Sequence, residues 1–133
     1  MGLRSDSTYT IVDIEPALSI SRWYLTQLFD TSRLTFLTPD QIDCIEHRRF
    51  DLAISISSLQ EMVPSQVTTY LELFDRVADN VYLKQWTTWH NPVDNIEMRF
   101  QDYPFPSRWS RLLWEPCPVQ TRFTQGVWTT KAT

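Results

Sequence analysis

Glycine is almost absent from this sequence: only Gly2 and Gly126 occur in 133 residues. Loops that cradle phosphate groups or nucleotide cofactors between a strand and a helix need glycines, because the backbone must approach the ligand closely. The sequence has no such loop, so any nucleotide-binding function has to explain its absence. The same absence argues against a nicotinamide-binding half-domain, which also uses a glycine-rich turn.

Cysteine pairs, basic charge and long apolar runs are also missing. Cys44 and Cys117 form no CxxC motif, which favours reduced thiols and a cytoplasmic location. The net charge is −4, whereas nucleic-acid binders usually carry a basic surface, so we expect no nucleic-acid partner. No apolar run approaches the ~18 residues of a membrane span. The N terminus lacks the apolar core of a signal peptide, so we expect no membrane association.

The strongest local pattern runs from Phe50 to Met62, FDLAISISSLQEM. Its first half is apolar and β-branched with small serines between, which is typical of a strand covered on both faces of a parallel sheet. It ends in a polar run from Ser57 to Glu61, and a helical pattern follows at once. Ligands of open α/β sheets bind beyond the carboxyl ends of the strands, so residues 57–61 are the first candidates for chemistry.

The rest of the chain predicts alternating strands and helices and then an antiparallel end. Such alternation favours parallel strands joined by right-handed crossovers. The other predicted elements are the strand Tyr9–Asp13, a helix from Pro16 to about Phe29, the strand Leu34–Leu37, a helix from Pro64 to Asp79-Asn80, the strand Val81–Trp86 and antiparallel strands at Arg108–Trp114 and Thr121–Thr129.

Several of these segments resemble one enzyme family. YTIVDIEPALSISRWYL and FDLAISISSLQEM, the latter followed by YLELFDRVA and VYLKQW, are similar to segments of the S-adenosylmethionine-dependent sugar O-methyltransferases. FLTPDQ lies where that family has its third-strand loop, and the resemblance covers roughly residues 9 to 115. It implies an α/β fold, a Rossmann-like methyltransferase sheet with antiparallel C-terminal strands, as one partial domain over residues 1–133.

The sequence departs from the family at its front. There, a first strand and a glycine-rich loop precede the segment that Tyr9–Asp13 matches, so the resemblance implies a sheet truncated at the N terminus. Losing a central strand leaves two others with unpaired edges, and unpaired buried backbone groups are costly. We therefore expect either self-association or a missing N-terminal segment.

The resemblance implies transfer of a methyl group from S-adenosylmethionine to a hydroxyl of a sugar or glycan. A non-catalytic interaction module, or a relic that has lost cofactor binding, is the alternative. The missing glycines favour this alternative for the chain by itself. The acidic residue that ends the strand at Asp13 and the polar pair Gln60-Glu61 favour the enzyme.

The cofactor-binding candidates follow from their places at strand ends. Asp13 ends the strand matched to the family's second, where a carboxylate can accept both ribose hydroxyls; Glu15 is a weaker alternative. Asp40 and Gln41, in the next loop, can approach the adenine amine, although N-capping by Asp40 explains the same pattern. Ser57, at the end of the strand that begins at Phe50, completes the predicted cofactor site.

Two residues are candidates for the general base. Glu61 can take a proton from a sugar hydroxyl if burial raises its pKa, although bonding to the N–H groups of the following helix is an equal alternative. His90 follows the strand VYLKQW and can accept a proton near neutral pH, although a lone loop histidine is more often structural. No histidine pair or carboxylate cluster has metal-ligand spacing, so we expect no metal site.

Overall fold

The computed structural model describes residues 6–131, which fall into two compact units. The first unit ends at Ile45 and the second begins at Glu46. Short 3-10 helices connect the main elements. These elements are β1 (Tyr9–Val12), α1 (Ala17–Leu28), β2 (Leu34–Leu37), β3 (Phe50–Ile56), α2 (Pro64–Val77), β4 (Ala78–Trp86), β5 (Thr88–His90), β6 (Glu97–Arg99), β7 (Ser110–Pro116) and β8 (Phe123–Thr129).

The first unit is a β-α-β arrangement. β1 pairs with β2 in parallel, from Tyr9 opposite Leu34 to Val12 opposite Leu37, and α1 connects the two strands. The helix begins one residue after Pro16 and buries Leu18 almost completely. Parallel pairing through a helical crossover places the carboxyl ends of β1 and β2 at the same edge of the small sheet.

The second unit has a four-stranded sheet in the order β3-β4-β8-β7. β3 and β4 are parallel and are joined by α2, whereas β8 and β7 are both antiparallel to their neighbours. The predicted α/β fold with an antiparallel C-terminal end is therefore confirmed. No helix within residues 6–131 is long and apolar enough to cross a membrane.

One face of this sheet carries the core of the second unit. Val67 and Leu71 of α2 are buried in one cluster with Val81 and Leu83 of β4. Aromatic rings extend the cluster, and their closest stacked pair is Phe105 and Trp128, with centroids 4.8 Å apart. The cluster also contains Leu59, Phe100, Tyr103 and Trp109.

The sequence misplaced two features of this unit. Asp79 and Asn80 were expected to end the helix in a loop, but β4 already begins at Ala78 and includes both residues. Ala78 is fully buried opposite Phe50, and Arg48 Nη1 donates a 2.6 Å hydrogen bond to its carbonyl oxygen. The β5–β6 hairpin was not predicted, because both strands are only three residues long.

Candidate functional site

Asp13 lies directly after β1, where the sequence placed a ribose-binding carboxylate. Its backbone N–H donates to the carbonyl oxygen of Leu37 at 3.2 Å, and its Oδ1 accepts the N–H of Ile14 at 2.8 Å. The side chain is half-buried, and Oδ2 has no hydrogen-bond partner among residues 6–131. Asp13 therefore presents an oriented carboxylate with one free oxygen at the edge of the first sheet.

Asp40 and Gln41 lie at the same edge, in the 3-10 helix Pro39–Cys44 that follows β2. Both side chains bond to Thr38: Gln41 Oε1 accepts its N–H at 2.9 Å, and Asp40 Oδ1 accepts its hydroxyl. The Gln41 bond is part of a capping box in which Thr38, and not Asp40, is the cap residue. Contact of Asp40 and Gln41 with adenine stays a prediction, and the alternative that Asp40 is the N-cap is wrong, because Thr38 occupies that position.

Ser57 turns the chain at the carboxyl end of β3. Its φ of 53° lies in the left-handed region, which is uncommon for a residue with a side chain. Its N–H donates to the carbonyl oxygen of Lys84 at 2.8 Å, which extends the β3–β4 ladder by one bond beyond the strand. The turn leads the chain away from β3 into the short helix Leu59–Glu61.

Two buried glutamines hold this turn against the end of β4. Gln85 is fully buried, and its Oε1 accepts the N–H groups of Ser58 at 3.1 Å and Gln60 at 3.4 Å. Its Nε2 donates to the carbonyl oxygen and the hydroxyl of Ser55 at 3.1 and 3.2 Å. A single amide thus satisfies both backbone donors and side-chain acceptors around the turn.

Gln60 also bonds the turn to β4, and its side-chain –NH₂ group remains a free hydrogen-bond donor among residues 6–131. Only 2% of the residue is exposed, and its Oε1 accepts the N–H of Trp86 at 2.7 Å. This bond fixes which end of the amide is oxygen, so the remaining group is the –NH₂. Within the described chain, that –NH₂ has no protein partner. Gln60 therefore offers hydrogen-bond donors at the end of β3.

The two predicted bases lie in different elements and are both exposed. Glu61 ends the helix Leu59–Glu61, and the desolvation that its general-base role required is not present. His90 ends β5 opposite Glu97. Among residues 6–131, no hydrogen bond or ion pair joins Glu61 to His90. Their catalytic roles stay predictions without support from burial.

Two openings flank this end of the second unit. An open groove of about 500 Å³ lies beside the first turns of α2 and the β6 strand, and includes the ion pair of Arg99 with Asp102 at 2.8 Å. Burial raises the pKa of Tyr103, which also lines the groove. A smaller opening of about 280 Å³ borders Trp86, whose ring lies 5.5 Å from the guanidinium of Arg122.

The described residues contain no group of three or more His, Cys, Asp or Glu side chains that could hold a metal ion. The sequence did not point to Gln85, and it pointed to Gln60 only through the polar run and the pair Gln60-Glu61, without a role for its amide. The signal for Gln85 is its position: it follows Val81 and Leu83 at the period of two that marks the inward face of a strand.

No protein-family model and no curated protein matches the sequence. Solved structures with a similar fold include yhhF of Escherichia coli, named a putative methyltransferase, with 8% identity and a TM-score of 0.60. PH0226 of Pyrococcus horikoshii OT3 has 14% identity and a TM-score of 0.66. A chain of the Pnkp1/Rnl/Hen1 complex has 12% identity and a TM-score of 0.66.

The similar region takes up nearly all of this chain but only part of the others. The matches cover 96%, 93% and 95% of this chain, and 64%, 72% and 32% of the yhhF, PH0226 and complex chains respectively. At these identities the likeness shows the fold alone. The Rossmann-like fold that the resemblance implied, shared with a protein named a methyltransferase, is therefore confirmed. None of the names specifies a sugar acceptor.

The residues present fit only one end of S-adenosylmethionine, the cofactor that the resemblance implies. The free oxygen of Asp13 suits a ribose hydroxyl. The methionine end requires close backbone approach, which glycine provides. The one glycine of the described chain, Gly126, lies within β8 and packs against Trp128. The described residues thus fit the adenosine end and not the methionine end.

Proposed function

We propose that this chain is part of an S-adenosylmethionine-dependent methyltransferase that acts on a sugar hydroxyl. The observation that carries the proposal is the oriented carboxylate of Asp13, with one free oxygen at the carboxyl end of β1. Carboxylates at this place in doubly wound α/β folds bind the hydroxyls of a nucleoside ribose. The similarity in fold to a protein named a methyltransferase agrees with this assignment.

The end of β3 is the proposed contact with the acceptor. The free –NH₂ group of Gln60 donates a hydrogen bond to an oxygen of the molecule that accepts the methyl group. The bond from the N–H of Trp86 to Gln60 Oε1 fixes the position of this –NH₂ group. The Gln85 network holds the turn that carries Gln60, so the donor is preorganised rather than mobile. Glu61 and His90 are the proposed proton acceptors, both in contact with solvent.

The adenosine end alone gives weak affinity. Each hydrogen bond contributes about 0.5–1.5 kcal/mol net, or somewhat more when it involves a charged group. Association costs at least about 4 kcal/mol in lost translational and rotational freedom. A site that rests on Asp13 and one or two further contacts therefore binds at best at millimolar concentration, and it does not position a methyl group for transfer.

Ligand-detected NMR tests the proposal with three ligands at millimolar concentration. S-adenosylmethionine and adenosine are expected to bind with similar affinity and to compete with each other, because both carry the ribose. Methionine is expected not to bind, since its partners are absent from the described residues. Equal binding of methionine, or binding of neither nucleoside, would contradict the assignment of Asp13 to the ribose.

The non-catalytic interaction module is the second candidate, and specific observations favour it. Glu61 and His90 are exposed, and the side chains of Asp40 and Gln41 accept hydrogen bonds from Thr38. A module of this kind keeps the sheet without any nucleoside site. The same ligand-detected NMR experiment distinguishes the two candidate functions. If the chain is a non-catalytic module, adenosine is expected not to bind at any concentration.

A further inference from the structure

β3 is an edge strand with an uncovered apolar face. Among residues 6–131 it pairs with β4 alone. Leu52, Ile54 and Ile56 alternate along the strand and are 47%, 58% and 53% exposed, although residues of this kind are usually buried. Ile54 lies opposite Tyr82 of β4, which in turn lies opposite Val127 of β8. Tyr82 and Val127 share the face of Ile54 and are only half-buried. The α2 helix packs on the opposite face.

The backbone of β3 also has hydrogen-bonding groups on its free side. The Ser57 N–H bonds to Lys84, and parallel strands alternate the direction of their backbone groups along the chain. The odd-numbered residues of β3 therefore face β4. Leu52, Ile54 and Ile56 then direct their N–H and carbonyl groups to the free edge. The exposed apolar side chains and the outward backbone groups belong to the same residues.

The two edges of the sheet differ in their protection against pairing. The β7 edge carries the charged residues Arg111 and Glu115, ends in Pro116, and has an irregularity between Arg111 and Leu113. Charges, prolines and bulges are the devices that prevent edge-to-edge association. From Leu52 to Ser58, β3 and its turn have no proline and no charge. Among residues 6–131, β3 is therefore the edge of this four-stranded sheet that is open to another strand.

We propose that β3 pairs with the β3 strand of a second copy of this chain, antiparallel and about a two-fold axis through Ile54. This register places Ile54 opposite its own copy and Leu52 opposite Ile56, so the apolar residues form one continuous face. Both pairs use residues whose backbone groups point to the edge, as an antiparallel ladder requires. The result is an isologous dimer with one continuous sheet.

Charge decides between the two possible directions. In the antiparallel register, Asp51 lies opposite the uncharged Ser57 of the second copy. In a parallel pairing in register, Asp51 lies beside Asp51 of the second copy, and like charges on adjacent strands are destabilising. The antiparallel pairing also keeps the apolar residues of both copies on one face of the sheet, whereas a parallel pairing of the same two edges turns them to opposite faces.

Sedimentation velocity with static light scattering tests the dimer. The unmodified chain is expected to show twice the mass of a monomer at micromolar concentration. Ile54→Lys puts two ammonium groups on the axis and is expected to raise the dimer dissociation constant by about tenfold or more. Leu112→Lys is the matched control, because Leu112 is 64% exposed on the opposite edge strand, and its dimer is expected to persist.

Disulfide crosslinking tests the register in folded protein and does not depend on the lysine variant. In a Cys44→Ser background, which removes the exposed native thiol, Ile54→Cys is expected to crosslink because it faces itself across the axis. Leu52→Cys is expected to crosslink much less, since its neighbour is Ile56 of the second copy. Equal crosslinking of both variants contradicts the register centred on Ile54 and overturns the proposal. A monomer at all concentrations, or pairing only with a different polypeptide, also overturns it.

Discussion

The carboxylate of Asp75 on α2 accepts a hydrogen bond of 2.7 Å from the indole Nε1 of Trp109. Arg108 Nε donates to the same oxygen at 2.7 Å. Trp109 is buried in the aromatic cluster of the second unit, and Tyr and Trp side chains in such places need a partner for their polar atom. Asp75 therefore ties the segment that precedes β7 to the helix that covers the sheet.

This contact makes stability depend on pH. Desolvation by burial acts against ionisation of Asp75, but the hydrogen bonds from Arg108 and Trp109 outweigh it and lower the pKa of the carboxyl below 3.8. A carboxyl whose pKa is lower in the folded state than in the unfolded state stabilises the fold when the pH lies above the unfolded-state pKa. This stabilisation is lost as the pH falls through the folded-state pKa. The contribution of Asp75 to the free energy of unfolding is therefore present at pH 7 and decreases as the pH falls below 3.8.

Asp75→Asn is expected to lower the free energy of unfolding by about 1 kcal/mol at neutral pH, a modest value because Arg108 is half-exposed. Urea unfolding at neutral pH and at successively lower pH below 3.8 measures the difference from the unmodified chain. That difference is expected to narrow in acid. Glu72→Gln, at an exposed position of the same helix, is the control and is expected to change little. A constant difference at all pH values would show that the charge of Asp75 is not involved.

Gln85→Met is expected to lower the free energy of unfolding by about 2–3 kcal/mol. Methionine keeps the shape but leaves the N–H groups of Ser58 and Gln60 without their buried acceptor, at a cost of about 1–3 kcal/mol for such a group. Gln101→Met, at an exposed position, is the control. Equal stability of the two variants in urea would rule out the network around the turn as a stabilising element.

Gly126→Ala is expected to destabilise the second unit by about 1–3 kcal/mol, the usual cost of overpacking. A Cβ at this position would lie 2.7 Å from Cζ3 of Trp128, whose ring is packed in the core. Trp128→Leu removes that ring, so the cost of Gly126→Ala is expected to be smaller in the Trp128→Leu background. Additive costs in a double-mutant cycle would exclude the steric explanation.

The sequence predicted the elements whose pattern is strong. The strand β3 and the helix α2 lie where their sequence patterns placed them. The expectation that β3 is covered on both faces was wrong, because Leu52, Ile54 and Ile56 are about half-exposed. The predicted start of β4 at Val81 was wrong, because Asp79 and Asn80 are residues that favour turns locally. In the fold, pairing with β3 outweighs that preference, and Lys131 compensates the Asp79 carboxylate at 2.8 Å. Pairing partners that are distant in sequence are not visible in a local pattern.

The positions of two candidate segments could be predicted from the sequence, but their surroundings could not. The acidic residue after β1 and the polar turn after β3 lie at strand ends, as the α/β pattern required. The role of Gln85 depends on its inward position in β4, which requires the strand register to be known. The exposure of Glu61 and His90 depends on how the segments after β3 and β4 turn, and single-residue chemistry does not determine it.

The most direct test of the proposed function is the affinity of this chain for S-adenosylmethionine with and without the Asp13 carboxylate. Calorimetry or NMR titration of the unmodified chain is expected to give millimolar binding. Asp13→Ala removes hydrogen bonds to a charged group, worth about 1.5–3 kcal/mol, and is expected to abolish detectable binding. Glu15→Ala is the control: this carboxylate bonds to Ser19 instead, so binding is expected to be retained. Micromolar binding by the unmodified chain, or unchanged binding by Asp13→Ala, would contradict the assignment of Asp13 to the cofactor.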